Sequence, residues 1–221
     1  MGMNISKGNM YEFVTHTWNV IKGQCYHDCA YCYMKRFGPL KPVRLDRKEL
    51  KTDLGSGNFI FVGSSCDMFS QAIPDEWTQD VLDHCKKFDN QYLLQTKNPS
   101  RFHWFEFDER FILGTTIESN RDYDEYGNSP SPYDRATGLK DIKSRKFITI
   151  EPVLDFDVEQ MVCLIKIVEP DWVNIGADTG NNGLPEPPPE KIDALIEALA
   201  GTRIEIKKNM KRISQLQSPR D

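Results

Sequence analysis

The sequence predicts an α/β fold: a complete or partial (β/α) barrel of about six to seven parallel strands, in a single domain over residues 1–221. Three observations carry that expectation. Strand-like and helix-like segments alternate along the chain, which implies parallel strands joined by right-handed crossovers. The strands are two-faced, whereas a doubly wound sheet covered on both sides would read as nearly continuous hydrophobic runs. Their polar residues gather toward the C-terminal ends, the edge on which α/β barrels build their sites.

The predicted strands are THTWNVIKG (15–23), NFIFVGS (58–64), QYLLQTK (91–97), FILGTTIE (111–118), KFITIEPVL (146–154), DWVNIGAD (171–178) and RIEIKKN (203–209). Each is short, rich in β-branched or aromatic residues, and bounded by Gly, Pro or Asn. Over 111–120, Phe111, Leu113 and Ile117 share one face and Thr116, Glu118 and Asn120 the other. Likewise Ile148 and Ile150 oppose Thr149 and Glu151; Val173, Ile175 and Ala177 oppose Asn174 and Asp178; Ile204 and Ile206 oppose Glu205 and Lys207. Three helices follow from apolar positions on one face: Trp77, Val81, Cys85 and Phe88; then Val158, Met161, Val162 and Ile165; then Ile192, Leu195, Ile196 and Leu199. RDYDEYGNSPSPYDRATG (121–138) and TGNNGLPEPPPE (179–190) read as loops after strand C-termini and are candidate lids.

With 39% hydrophobic residues the chain is neither disordered nor fibrous. No apolar run approaches the roughly 20 residues of a membrane span, so no membrane partner is expected and a cytoplasmic location is. The net charge of −5 gives no general footprint for nucleic acid; KKNMKR at 207–212 is one local basic cluster. In such a compartment six cysteines stay reduced, and closely spaced ones suggest metal or redox chemistry before disulfides.

Three of them, Cys25, Cys29 and Cys32, fall in GQCYHDCAYCYMKRFG with the spacing C-x3-C-x2-C and Tyr31 before the third. The segment is too polar for core cysteines. A structural zinc would need a fourth ligand, His27 or His16, and zinc spacings usually join two separated pairs. An iron–sulfur cluster on three thiolates would leave one iron open to a ligand. A zinc-bearing binding module without turnover is therefore the alternative to an iron–sulfur enzyme.

This cysteine loop, after the first strand of a β/α chain, resembles the radical S-adenosylmethionine (SAM) superfamily. With HTWN (16–19), FVGSSCDMF (61–69), QTKNP (95–99), TTIES (115–119) and TIEPVL (149–154), the chain is similar to a phage-associated group within it, distantly similar to spore photoproduct lyase. The resemblance implies that Cys25, Cys29 and Cys32 hold a [4Fe–4S] cluster whose open iron chelates SAM. An electron from the cluster then yields methionine and a 5′-deoxyadenosyl radical that abstracts hydrogen from substrate. It also implies an oxygen-sensitive protein and a one-electron reductant such as a flavodoxin or ferredoxin. The substrate it leaves open: a small molecule, a nucleotide or nucleic acid, or a peptide. Carried over by position, Gly63, Ser64, Ser65 and Asp67 stand where the methionine amine is met, although this chain lacks the common Gly-Gly-Glu. Glu118 and Asn120 match the ribose region, Tyr31 the adenine contact, and Glu151 a further SAM contact.

Among the remaining residues, Cys66 follows a strand end and is a candidate hydrogen donor to a product radical. Lys97, with Asp178 and Lys207, is a candidate substrate contact, or else a member of a lumen salt bridge. Cys85 and Cys163 are expected to be buried small hydrophobes. With only three scattered cysteines beyond the loop no auxiliary cluster is expected, and the length suggests no cobalamin domain.

Overall fold

All seven predicted strands form in the computed structural model, which describes residues 2–7 and 10–214. They are β2 (His16–Trp18), β5 (Phe59–Val62), β6 (Gln91–Thr96), β7 (Phe111–Thr116), β8 (Arg145–Ile150), β9 (Trp172–Ile175) and β10 (Arg203–Ile206), and each pairs in parallel with the next. A two-residue strand the sequence did not announce, β1 (Asn4–Ile5), adds antiparallel to the free edge of β2. The result is one mostly parallel eight-stranded sheet. Among the described residues it does not close, so the complete barrel is not formed. The edge of β2 that closure would need is already taken by β1, in the register Asn4 with Thr17. Segment 15–23 is in fact two strands, because β3 (Ile21–Lys22) leaves the main sheet for a ribbon with β4 (Arg44–Leu45).

The helices α1 (Asp75–Cys85), α2 (Pro132–Lys140), α3 (Val158–Val168) and α4 (Pro189–Ala198) cover one face. There Val62, Leu94, Leu113, Ile148, Ile150 and Ile175 pack with Val81 and Leu82 of α1, Leu139 of α2, Ile165 of α3 and Leu195 of α4. These are the apolar faces that the two-residue and 3.6-residue periods assign. Cys85 is fully buried, as expected, whereas Cys163 is exposed. On α3 the buried stripe is Met161, Leu164, Ile165 and Val168, and Cys163 falls between its turns on the solvent side. No helix among the described residues is long and apolar enough to cross a membrane.

The opposite face is polar only in its C-terminal half. Lower down, Leu93, Ile112, Phe147 and Trp172 are buried under Tyr11 and Val14 of the segment before β2. Phe13 stacks on Tyr11 with ring centroids 5.5 Å apart, and Phe147 on Trp172 at 5.4 Å. Each buried ring contributes on the order of 2–3 kcal/mol relative to exposure. Gly114 makes room for this floor: a Cβ there would stand 1.9 Å from the Phe147 ring. The sheet thus has an apolar base and a polar rim on the same side.

α2 lies inside what reads as the loop 121–138. Ser131 caps it by accepting from Asp134 N at 3.1 Å, while its hydroxyl donates to Asp134 Oδ2 at 2.7 Å, and Pro132 occupies the first turn.

Candidate functional site

The cysteine loop follows β3 and is held from outside by the segment after β7. Ala30 N donates to Glu125 O (2.9 Å), Asn128 N to His27 O (2.8 Å), and Asn128 Nδ2 to Tyr26 O (2.9 Å). Gly127 adopts φ +60°, and a Cβ there would meet His27 O at 2.1 Å. The first part of the expected lid is therefore a buttress, fixed by backbone bonds to the loop it was expected to cover.

Cys25, Cys29 and Cys32 line one cavity of about 810 Å³, bounded by residues from the ends of β2 through β9. Cys29 is buried, its thiol donating to Tyr126 O at 3.6 Å; Cys25 and Cys32 are half-buried. A fourth thiol joins them. After Gly63, at φ +79°, a turn with Cys66 N donating to Gly63 O (3.3 Å) brings buried Cys66 against Cys25. That interaction lowers Cys25 to about 6, against its burial, and pushes Cys66 well up, burial adding to the effect. Burial also raises Cys32. Among the described residues no three His, Cys, Asp or Glu side chains converge as ligands to a single metal ion. His16, weighed as a zinc ligand, is turned instead to Thr15 Oγ1 at 2.9 Å.

The predicted amine-binding stretch forms the next part of the wall, with Gly63, Ser64, Ser65 and Asp67 all lining the cavity. Asn19 ties it down: Oδ1 accepts from Ser65 N (2.9 Å), and Nδ2 donates to Ser64 Oγ (3.2 Å). Asp67 accepts from His27 Nε2 (2.8 Å), Thr96 Oγ1 (2.8 Å) and the backbone N–H of Lys97 (2.9 Å) and Phe69 (2.9 Å). Burial opposes its ionisation, yet the bond to His27 and the further donors hold its carboxyl below the usual range. Gln95 joins the floor to the rim by accepting from Tyr11 Oη (2.8 Å) and donating to Thr116 Oγ1 (3.0 Å).

Glu118 and Asn120 stand apart from this wall, and neither lines the cavity. β7 ends at Thr116, so the alternation that assigned them a lumen face stops two residues early. Glu118 is fully buried: it accepts from Arg135 Nη1 of α2 at 2.6 Å and is contacted by Lys97 Nζ and Tyr31 Oη. Burial opposes its charge, but Arg135 and Lys97 bring its carboxyl down to about 2. Asn120 accepts from Asp157 N (2.7 Å) ahead of α3. Tyr31 and Lys97 do line the cavity, with Lys97 Nζ 5.2 Å from the Tyr31 ring centroid and 3.0 Å from its hydroxyl. Burial, then the Glu118 charge, raises the Tyr31 phenol well above its ordinary value.

Glu151 lines the cavity and accepts from Lys207 Nζ (2.7 Å) and Asn209 Nδ2 (3.3 Å). Asp178 gathers Gly180 N (2.8 Å) and Asn182 N (2.6 Å) within its own loop. Among the described residues the salt bridges weighed between Lys97, Asp178 and Lys207 do not form: Lys97 pairs with buried Glu118 and Lys207 with Glu151. KKNMKR is largely neutralised by Glu151, Glu12 and Glu186.

Sequence reading missed three members of the site. Arg135 sits in a predicted loop, although Ser-Pro-x-Asp at 131–134 is a helix start that would have placed it on a helix. The His27–Asp67 bond and the Asn19 clamp join residues 40 and 46 positions apart, and nothing local announces them.

No curated protein matches the chain. A family described as "Protein of unknown function (DUF5131)" matches residues 9–189. The match spans most of the sheet and every cysteine of the cavity, and the chain belongs to that family.

Proposed function

We propose that this protein is a radical SAM enzyme: with a [4Fe–4S] cluster and S-adenosylmethionine as cofactors, it abstracts hydrogen from a substrate at this cavity. The observation that carries the reading is the placement of three thiols from one short loop on a single cavity at the C-terminal ends of parallel strands. That edge is where α/β folds place their chemistry, and residues beyond the ends of β2 to β9 line the cavity, which supports reading the open sheet as a partial (β/α) barrel. The donor set suits the cluster, because three loop thiolates would serve three of its irons and leave the fourth free for SAM. When bound, the cluster supplies the electron that opens the sulfonium of SAM to methionine and a 5′-deoxyadenosyl radical.

The chain's own residues do the rest. Cys25, Cys29 and Cys32 would hold the cluster, and the buttress at Ala30 and Asn128 fixes the loop that carries them. Gly63, with no side chain to obstruct it, admits the methionine moiety to the wall where Ser64, Ser65 and Asp67 stand. Tyr31 offers its ring face to the adenine, and Glu151 a further polar contact. Glu118 and Asn120 act as positioning residues: Glu118 fixes Tyr31 and Lys97, and Asn120 fixes the entry to α3. Cys66 would give a hydrogen atom to the product radical, its thiyl then regaining an electron from the one-electron reductant and a proton from solvent; Lys97 would contact the substrate, and the aromatic floor under Gln95 bounds the cavity on its apolar side. A one-electron reductant such as a flavodoxin or ferredoxin is the required partner.

The alternative, a zinc-bearing binding module, needs four ligand atoms within about 3.8 Å of one another, the spacing of a tetrahedral site with Zn–S near 2.3 Å. The lack of such a convergence among the described residues weighs against it. Metal analysis of anaerobically purified and reconstituted protein separates the two. Brown protein with iron and acid-labile sulfide in equal amounts is expected; colourless protein with one zinc would establish the alternative.

A further inference from the structure

Charge is distributed unevenly around the cavity mouth. Between Tyr33 and Lys48 the chain carries six cations, Lys35, Arg36, Lys41, Arg44, Arg47 and Lys48, against one acid, Asp46, in a chain of net charge −5. All six are exposed. Asp46 and nearby Glu49 are both taken by Lys22, at 2.9 and 2.7 Å. Lys35 pairs with Asp28 and Arg47 with Asp80; among the described residues Arg36, Lys41, Arg44 and Lys48 make no ion pair, although the Arg44 charge reaches Asp46.

Arg36, Lys41 and Arg44 border a continuous path. Lys41 and Arg44 line a groove of about 370 Å³ that meets the main cavity across Asn19, Met34, Leu40 and Ser65, which line both. Arg36 and Lys7, also exposed, line the cavity itself. Beside Arg36, Tyr33 and Phe37 are 48% and 72% exposed, two rings left in water at the rim. A groove of unpaired cations leading past exposed rings into a polar cavity matches a flexible, repeating anion with flat apolar groups. A membrane surface is broad, whereas these cations follow a narrow groove toward the cavity. A duplex keeps its base faces stacked away from Tyr33 and Phe37.

We propose that this groove and rim bind single-stranded nucleic acid, with Arg36, Lys41 and Arg44 along the phosphates, Tyr33 and Phe37 on the bases, and one nucleotide reaching into the cavity. The last clause rests on the cavity being the reaction site; the binding itself does not. It requires neither iron nor SAM.

The test is fluorescence anisotropy of a labelled sixteen-residue oligothymidylate titrated with the purified full chain, at two salt concentrations. Saturable binding that weakens with salt is expected. Lys41→Glu with Arg44→Glu should weaken it about tenfold or more and reduce the salt slope by about 1.4. Phe37→Ala should weaken it at least about fivefold. Lys166→Glu, on the solvent side of α3, should leave it unchanged. All the altered residues are exposed, so melting temperatures should match and exclude misfolding. Absence of binding, binding indifferent to these substitutions, equal binding of duplex, or capture by anionic vesicles but not by the oligonucleotide would each overturn the proposal. Failure to bind iron would sink the enzyme reading and leave this one standing; an iron-loaded protein that ignores the oligonucleotide would do the reverse.

Discussion

Replacing any one of Cys25, Cys29 or Cys32 by alanine is expected to leave the reconstituted protein without iron and sulfide, while Cys85→Ala and Cys163→Ala retain both. Each loop thiol supplies one bond to a cluster that does not persist on two. The controls are informative because Cys85 lies on the buried face of α1 and Cys163 faces solvent, so neither burial nor exposure of a lost thiol accounts for the result. Cys66→Ala should also keep its iron, since Cys66 is assigned to the substrate and not to the cluster. Cys29→Ala removes a small buried group whose hydrogen bonds among the described residues are the weak sulfur contacts to Tyr126 O and Ser129, so its fold should survive. Equal iron in all variants would remove the basis of the assignment.

A larger effect on stability is expected at Glu118. Its carboxylate and the Arg135 guanidinium are both fully buried and 2.6 Å apart. Glu118→Ala strands a buried cation and should cost about 3–5 kcal/mol in urea unfolding. Pairing Glu118→Gln with Arg135→Met removes both charges and should cost much less than the sum of the single changes. The pH dependence follows from the same pair. The folded carboxyl, at about 2, lies below its unfolded value near 4.3, so its contribution is fully present above that value. It is lost as the pH falls toward 2, amounting to about 3 kcal/mol over the window. Asp67, also held low, adds in the same direction. Subtracting the Glu118→Gln profile from that of the unaltered protein isolates the Glu118 share; identical acid profiles would show that its charge does not stabilise the fold.

The strands and three of the helices were legible because each buries one face, and burial writes its period into the sequence. So was the cysteine loop, whose spacing is local. What was lost lay where local pattern stops. Alternation carried beyond Thr116 put Glu118 and Asn120 in the lumen, although the strand had ended and Arg135 of α2 had claimed the carboxylate. α2 itself is weakly amphipathic and contains Gly138, so only its start, Ser131 to Asp134, betrays it. The aromatic floor went unforeseen, because Leu93, Ile112 and Phe147 are covered by Tyr11 and Val14, residues that precede every predicted strand. Cys66 meeting Cys25, and the basic groove meeting the cavity, depend on chain paths that only the fold supplies.

The central claim is that this cavity cleaves SAM reductively, and one assay addresses it directly. Iron-loaded protein is incubated without oxygen with SAM and dithionite, and 5′-deoxyadenosine and methionine are separated by chromatography. Both products should appear in equal amounts, slowly because no substrate occupies the cavity, and should be absent from the Cys29→Ala variant. Protein that carries its full complement of iron and sulfide yet neither binds SAM in equilibrium dialysis nor yields 5′-deoxyadenosine would contradict the account.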